Sequence, residues 1–171
     1  HNLIIESSVI IFGIGMFSVY LFSSLYHLTQ KEKTKQLFKI ADHISIYYLI
    51  AGTYSPLMVV YLNKETALVF LGIMWAIVLL GTFFKIFYVD RFRFISVVLY
   101  LLMGWMIVFV IKPLWGVIPL SVFLWILAGG LSYTIGVYFY VKGDKNYFHT
   151  VWHFFVLLGT IFHYVAILTS L

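Results

Sequence analysis

The sequence predicts an all-α integral membrane protein, a bundle of six transmembrane helices forming one polytopic domain over residues 1–171. Three observations carry that reading. The chain is 63% hydrophobic and only 10% charged, with a mean hydropathy of +1.03, whereas soluble domains are about half apolar and about a quarter charged. Apolar runs of about 20 residues, the length of a membrane-crossing helix, recur along the chain. The stretches between them are short and hold most of the charge. A barrel is excluded, because its strands alternate over about ten residues and these runs are continuous and longer.

Residues 3–28 form the first span. They lack the basic n-region and small-residue cleavage site of a signal peptide, and they are long enough to cross by themselves. The linker "QKEKTKQLFK" leads to the second span, 40–62, and "NKET" separates that from the third, 66–87. After "YVDRFR" come 94–111, then 116–141, and finally 148–171. Short linkers make sequence neighbours antiparallel. No repeat, low-complexity tract or second domain interrupts the pattern.

Charge sets the expected orientation. Lys31, Lys33, Lys35 and Lys39 fall in one linker, Lys85, Arg91 and Arg93 in the next on that side, and Lys142 and Lys145 in the third. Lys64 and Lys112 alone fall on the other side. By the positive-inside rule the three basic linkers are cytoplasmic and the C-terminus is external in a multi-pass cell-membrane protein. The formal charge of +5 therefore reads as membrane orientation, with membrane lipids as partners and not nucleic acid. Six spans also leave the N-terminus outside. For a chain that starts at His1 without a signal peptide, a further helix ahead of it, entering from the cytoplasm, resolves this.

The chain has no cysteine, so disulfides and thiolate metal sites are excluded and metal ligands must come from His, Asp or Glu. The ionisable residues of the spans gather at one depth. His149 follows Lys145 by four residues, His27 precedes Lys31 by four and Asp42 follows Lys39 by three, while His153 lies one turn deeper. Residues four apart share a helix face, so His149 and His153 can bind one ion together, and His27 can add a third nitrogen. Three imidazoles with an open position suit catalytic zinc, which lowers the pKa of bound water towards about 7. Asp42 can orient that water or take its proton, and Ser23, one turn from His27, can hydrogen-bond the water or a substrate carbonyl. Singly, each has a plainer reading: an interfacial His pair, a Ser bonded to its own backbone, an Asp favoured by a helix N-terminus. Their common depth in a chain so poor in ionisable groups favours a shared site.

These stretches resemble the hemolysin III family, in its bacterial branch, within the progestin and adipoQ receptor superfamily. The resemblance rests on "FSSLYHL", "ADHISIYYLIAGTYSP" and "HTVWHFFVLLGTIFH", with "LYLLMGW" and "LAGGLSYTIGVYFY" in support, and covers essentially the whole chain. It implies a seven-helix fold with a cytoplasmic N-terminus, of which the first helix is missing here. It also implies a zinc site built from one His of the family's second helix and two of its seventh. The superfamily is similar to alkaline ceramidases, which implies amide hydrolysis on lipids.

His43 adjoins Asp42 but points about 100° away on a helix, which suits packing better than metal binding. His163 lies about 21 Å along the helix from His149, too far for the same ion, and is expected to hydrogen-bond inside the bundle. Glu6 is expected near the outer face. Three functions follow in order of preference: a zinc-dependent membrane hydrolase of a lipid amide or ester, a non-enzymatic sensor of membrane state with a structural zinc, and a pore-forming cytolysin. The pore ranks last because the middle of the spans is nearly apolar, where a conducting path needs polar residues.

Overall fold

In hydrocarbon the backbone must satisfy its own N–H and C=O groups, and in the computed structural model all regular structure among the described residues is helical. The structure describes residues 2–143 and 147–171. His1 and Lys145, which the N-terminal and linker readings invoke, lie outside them. The elements are α1 (Asn2–Leu28), α2 (Glu32–Tyr61), α3 (Lys64–Tyr88), α4 (Arg93–Gly104), a 3-10 turn (Met106–Val110), α5 (Ile111–Leu114), α6 (Leu120–Val141) and α7 (Phe148–Leu168). Among the described residues six stretches are long and apolar enough to cross a membrane, with Phe94–Leu114 counted as one.

Three boundaries differ from the sequence reading. α2 begins at Glu32 rather than near residue 40, because "EKTKQLFK" is polar yet made of good helix formers, with Glu32 at the favoured N-terminal end. The fourth span is broken at Trp105 (φ −96°, ψ 7°), where the helix gives way to the 3-10 turn. α6 starts at Leu120 and not at 116. Gly116 adopts a left-handed φ of +87°, and Pro119 holds the residue before it out of the helical region. Lys85, read as part of a linker, is only 1% exposed. It continues the buried stripe Met74, Val78, Gly81 at helical spacing.

The chain forms two compact units, residues 1–103 and 104–171. In the first, α1 and α2 run antiparallel and cross where each lacks a side chain. A Cβ on Gly15 would lie 3.0 Å from the Tyr48 carbonyl, and one on Gly52 would lie 3.2 Å from that of Ile11. Small residues at such a crossing let two backbones approach in lipid, where association depends on close packing. α3 lies against α2 through Tyr54–Phe70 and Tyr48–Trp75, with ring centroids 5.2 and 5.7 Å apart. Tyr47 is fully buried. Its ring covers Gly81 and meets that of Tyr100 at 4.6 Å.

One end of this unit is tied by Asp90, which pairs with Lys39 and accepts from the Gln36 amide at 2.7 Å. The α3–α4 connection and the start of α2 therefore share that end, as expected of the first two basic linkers. Phe92, in the same connection, holds a left-handed φ of 56° and packs against Phe84 and Tyr88.

In the second unit α6 and α7 are antiparallel. Phe139 stacks on Phe155 at 5.5 Å, Ser132 donates to the Phe155 carbonyl at 2.8 Å, and Tyr133 bonds Thr160 at 2.7 Å. Trp105 donates to Thr134 at 3.1 Å, fixing the 3-10 turn on α6.

Two outcomes follow. Gly52→Val should cost about 1–3 kcal/mol through overpacking. Gly13→Val, with nothing within 4 Å of the added Cβ, should stay within about 0.5 kcal/mol of the parent in denaturant titrations in micelles. Asp90 lies between the spans, and the hydrogen bonds from Lys39 and Gln36 hold its carboxyl below the ordinary value. A folded-state value below the unfolded one stabilises above the unfolded pKa, and that contribution is lost as pH falls through the folded one. Asp90→Asn should therefore destabilise by about 0.2–1 kcal/mol at neutral pH. The difference should shrink as thermal melts are taken below the ordinary carboxylate value of about 3.9, and vanish once the pH is below the lowered folded-state value.

Candidate functional site

The polar side chains singled out in the sequence meet within each unit. In the first, the α1 face carrying Ser23 and His27 turns towards α2, and the Ser23 hydroxyl lies in hydrogen-bond reach of the half-buried Asp42 carboxylate. The i, i+4 spacing puts His27 one turn nearer the helix end on that face. Its ring packs on Tyr26 at 4.9 Å, and the Lys35 ammonium stands 5.8 Å from the Tyr26 ring centre. The antiparallel crossing at Gly15 and Gly52 sets this register, because it brings the last turns of α1 against the first turns of α2.

His43 turns elsewhere, as its angular offset from Asp42 implies. Its Nδ1 lies 2.8 Å from the Lys39 carbonyl one turn back. A carbonyl only accepts, so Nδ1 carries the proton. The His43 carbonyl accepts from Tyr100 at 2.8 Å, tying α4 to α2 at this level.

In the second unit the pair at the head of α7 is formed. His149 and His153 bring their Nε2 atoms to 3.0 Å, with ring centroids 4.6 Å apart and planes at 86°. Two such nitrogens either share one proton or direct their lone pairs at one cation. Ligands about 2.05 Å from a tetrahedral zinc are separated by about 3.3 Å, so the observed separation fits two corners of that polyhedron with little movement. Imidazole is also a donor that zinc accepts readily, and the chain offers no thiolate to compete. α7 is entered through Tyr147, whose left-handed φ of 70° turns the chain into the helix just ahead of His149. Nothing in the residue type announces that turn.

His163 takes no part in the pair. Its Nε2 donates to the Ile126 carbonyl at 3.2 Å, the internal hydrogen bond expected of it. The ring occupies the space over Gly129, where any Cβ would overlap it, and lies 5.5 Å from that of Tyr133. The sequence reading found the His but not the glycine that accommodates it. A glycine on the helix facing the histidine, three residues from the accepting Ile126 carbonyl, would be the signal.

Comparison with known proteins agrees with this architecture. A family model described as "Haemolysin-III related" matches residues 4–164. The Hemolysin-3 of Bacillus cereus is 39% identical over 158 residues, which cover 92% of this chain and 72% of that protein. The Hemolysin-3 homolog of Bacillus subtilis is 38% identical over 161 residues, or 94% and 76% of the two chains. The human Monocyte to macrophage differentiation factor is more distant, at 28% over 167 residues, with 92% and 67% covered. No solved structure matches the chain. A model match over nearly the whole length, six apolar helices and two relatives above a third identical place the chain in the haemolysin-III-related family of multi-pass membrane proteins.

Proposed function

We propose that the protein is a zinc-dependent hydrolase of a lipid amide or ester bond, working from the end of the bundle where the basic linkers lie, with those linkers in the cytoplasm and the C-terminus outside. The observation that carries the reading is the His149–His153 pair, two ring nitrogens 3.0 Å apart on one helix. The third ligand in this reading is His27, which the spacing from the basic linkers puts at the same depth as the pair. A bound zinc with an open position supplies a Lewis acid for the scissile carbonyl and lowers the pKa of a coordinated water.

The remaining work falls to the chain. Asp42 is oriented by the Ser23 hydroxyl, which leaves a carboxylate oxygen to hold the attacking water and take its proton. The same Asp42, once protonated, can return that proton to the leaving amine or alcohol. Exposed apolar residues beside the site, including Leu28 and Leu37, give acyl chains a surface along which to approach from the bilayer. A non-enzymatic role with a structural zinc would need the histidines but not the carboxylate, and this difference provides the test.

His153→Ala should lower zinc affinity at least about ten-fold, whereas His163→Ala, remote from the pair, should leave zinc stoichiometry unchanged in metal analysis of the purified protein. Equal zinc loss from both variants would sink the three-histidine assignment. Asp42→Asn should retain zinc and reduce lipid-amide or lipid-ester turnover by about 100-fold or more. Zinc-loaded parent protein that turns over neither class of lipid would leave the structural role in its place.

A further inference from the structure

We infer that the start of α2 is a binding surface for the headgroup of an anionic phospholipid. α2 has 30 residues, about 45 Å of helix at 1.5 Å per residue, against about 30 Å of hydrocarbon. Its first two turns are therefore surplus to the crossing and stand at the membrane–water boundary. They carry the residues for that place. Lys31 and Lys33 are exposed and Lys35 is half-buried, with the Lys35 ammonium steered over Tyr26. Lys39 is already engaged by Asp90, which leaves Glu32 as the acidic side chain within the segment and its charge net positive. Arg91 is exposed on the connection that Asp90 ties to the same end.

Beside these cations lie large apolar side chains open to the bilayer. Leu28 is 79% exposed and Leu37 is 66% exposed. A basic strip bordered by exposed leucines matches a ligand that is anionic at one end and alkyl at the other, and this favours a phospholipid over a free phosphate. Basic clusters immediately outside a membrane span draw anionic lipids with about 1 kcal/mol for each Lys or Arg near the surface.

The test uses the full chain in a zwitterionic detergent. Native mass spectrometry would count retained phosphatidylglycerol against phosphatidylcholine of the same acyl chains. The parent should prefer phosphatidylglycerol by at least about five-fold, the factor that one such lysine supplies. Lys31→Gln/Lys33→Gln/Lys35→Gln should abolish the preference, while Lys64→Gln should keep it. On the parent alone, raising salt from about 0.1 to 1 M should erase it, since the screening length falls from about 10 to 3 Å. The proposal is overturned by a parent without preference, by a triple variant that retains it, or by millimolar inorganic phosphate displacing the lipid. None of these readouts depends on zinc or turnover, so the surface and the hydrolase reading stand or fall separately.

Discussion

A hydroxyl in hydrocarbon has no water to turn to, and the way this chain resolves that constraint organises much of the packing. Thr134 donates to the Gly130 carbonyl one turn back and Thr160 to that of Val156. Each then has a lone pair to offer across a helix contact, and each is taken by an aromatic donor: the Trp105 indole for Thr134, the Tyr133 phenol for Thr160. Since the Thr160 proton is committed to its own backbone, the Tyr133 hydroxyl must be the donor. Such relays give helix pairs a fixed register in a medium where apolar contact alone cannot, because lipid tails are as apolar as the side chains they would replace. Thr53 and Ser55 make the same backbone bonds in α2.

With register fixed in this way, the few ionisable groups can be held where they cost least. Asp42 has the Ser23 hydroxyl beside it near the end of the spans, the two α7 histidines meet through their ring nitrogens, and Asp90 with Lys39 and Gln36 lies outside the apolar stretches. Lys85, buried in α3, also lies in the last turn of its helix, so these charges sit towards span ends and not at mid-depth, where they would cost most.

Much of this was legible in the sequence, and the part that was not has physical reasons. The His149–His153 approach follows from a spacing that any helix converts into a shared face. The meeting of Ser23 with Asp42 follows from equal depth on neighbouring helices. Hydropathy measures affinity for lipid and not backbone hydrogen bonding, so it placed the start of α2 at residue 40 although helix formers carry it back to Glu32. Lys85 was counted with a basic linker for its charge although it falls inside the third span, because charge alone does not reveal the buried stripe it continues. The left-handed turns at Phe92 and Tyr147 went unseen because glycine, the usual sign of positive φ, is absent there. The end of α4 before Trp105 left no stronger trace than Gly104.

The crossing of α1 and α2 at Gly15 and Gly52 acts as a fulcrum. Ser23 lies eight residues beyond Gly15, about 12 Å along the helix. A change of about 5° in the angle between the helices would displace Ser23 relative to Asp42 by about 1 Å, an error large enough to cost a reaction about 100-fold when its groups must be aligned. Bilayer thickness and lateral pressure act on helix tilt, and through this lever they would reach the carboxylate without touching it.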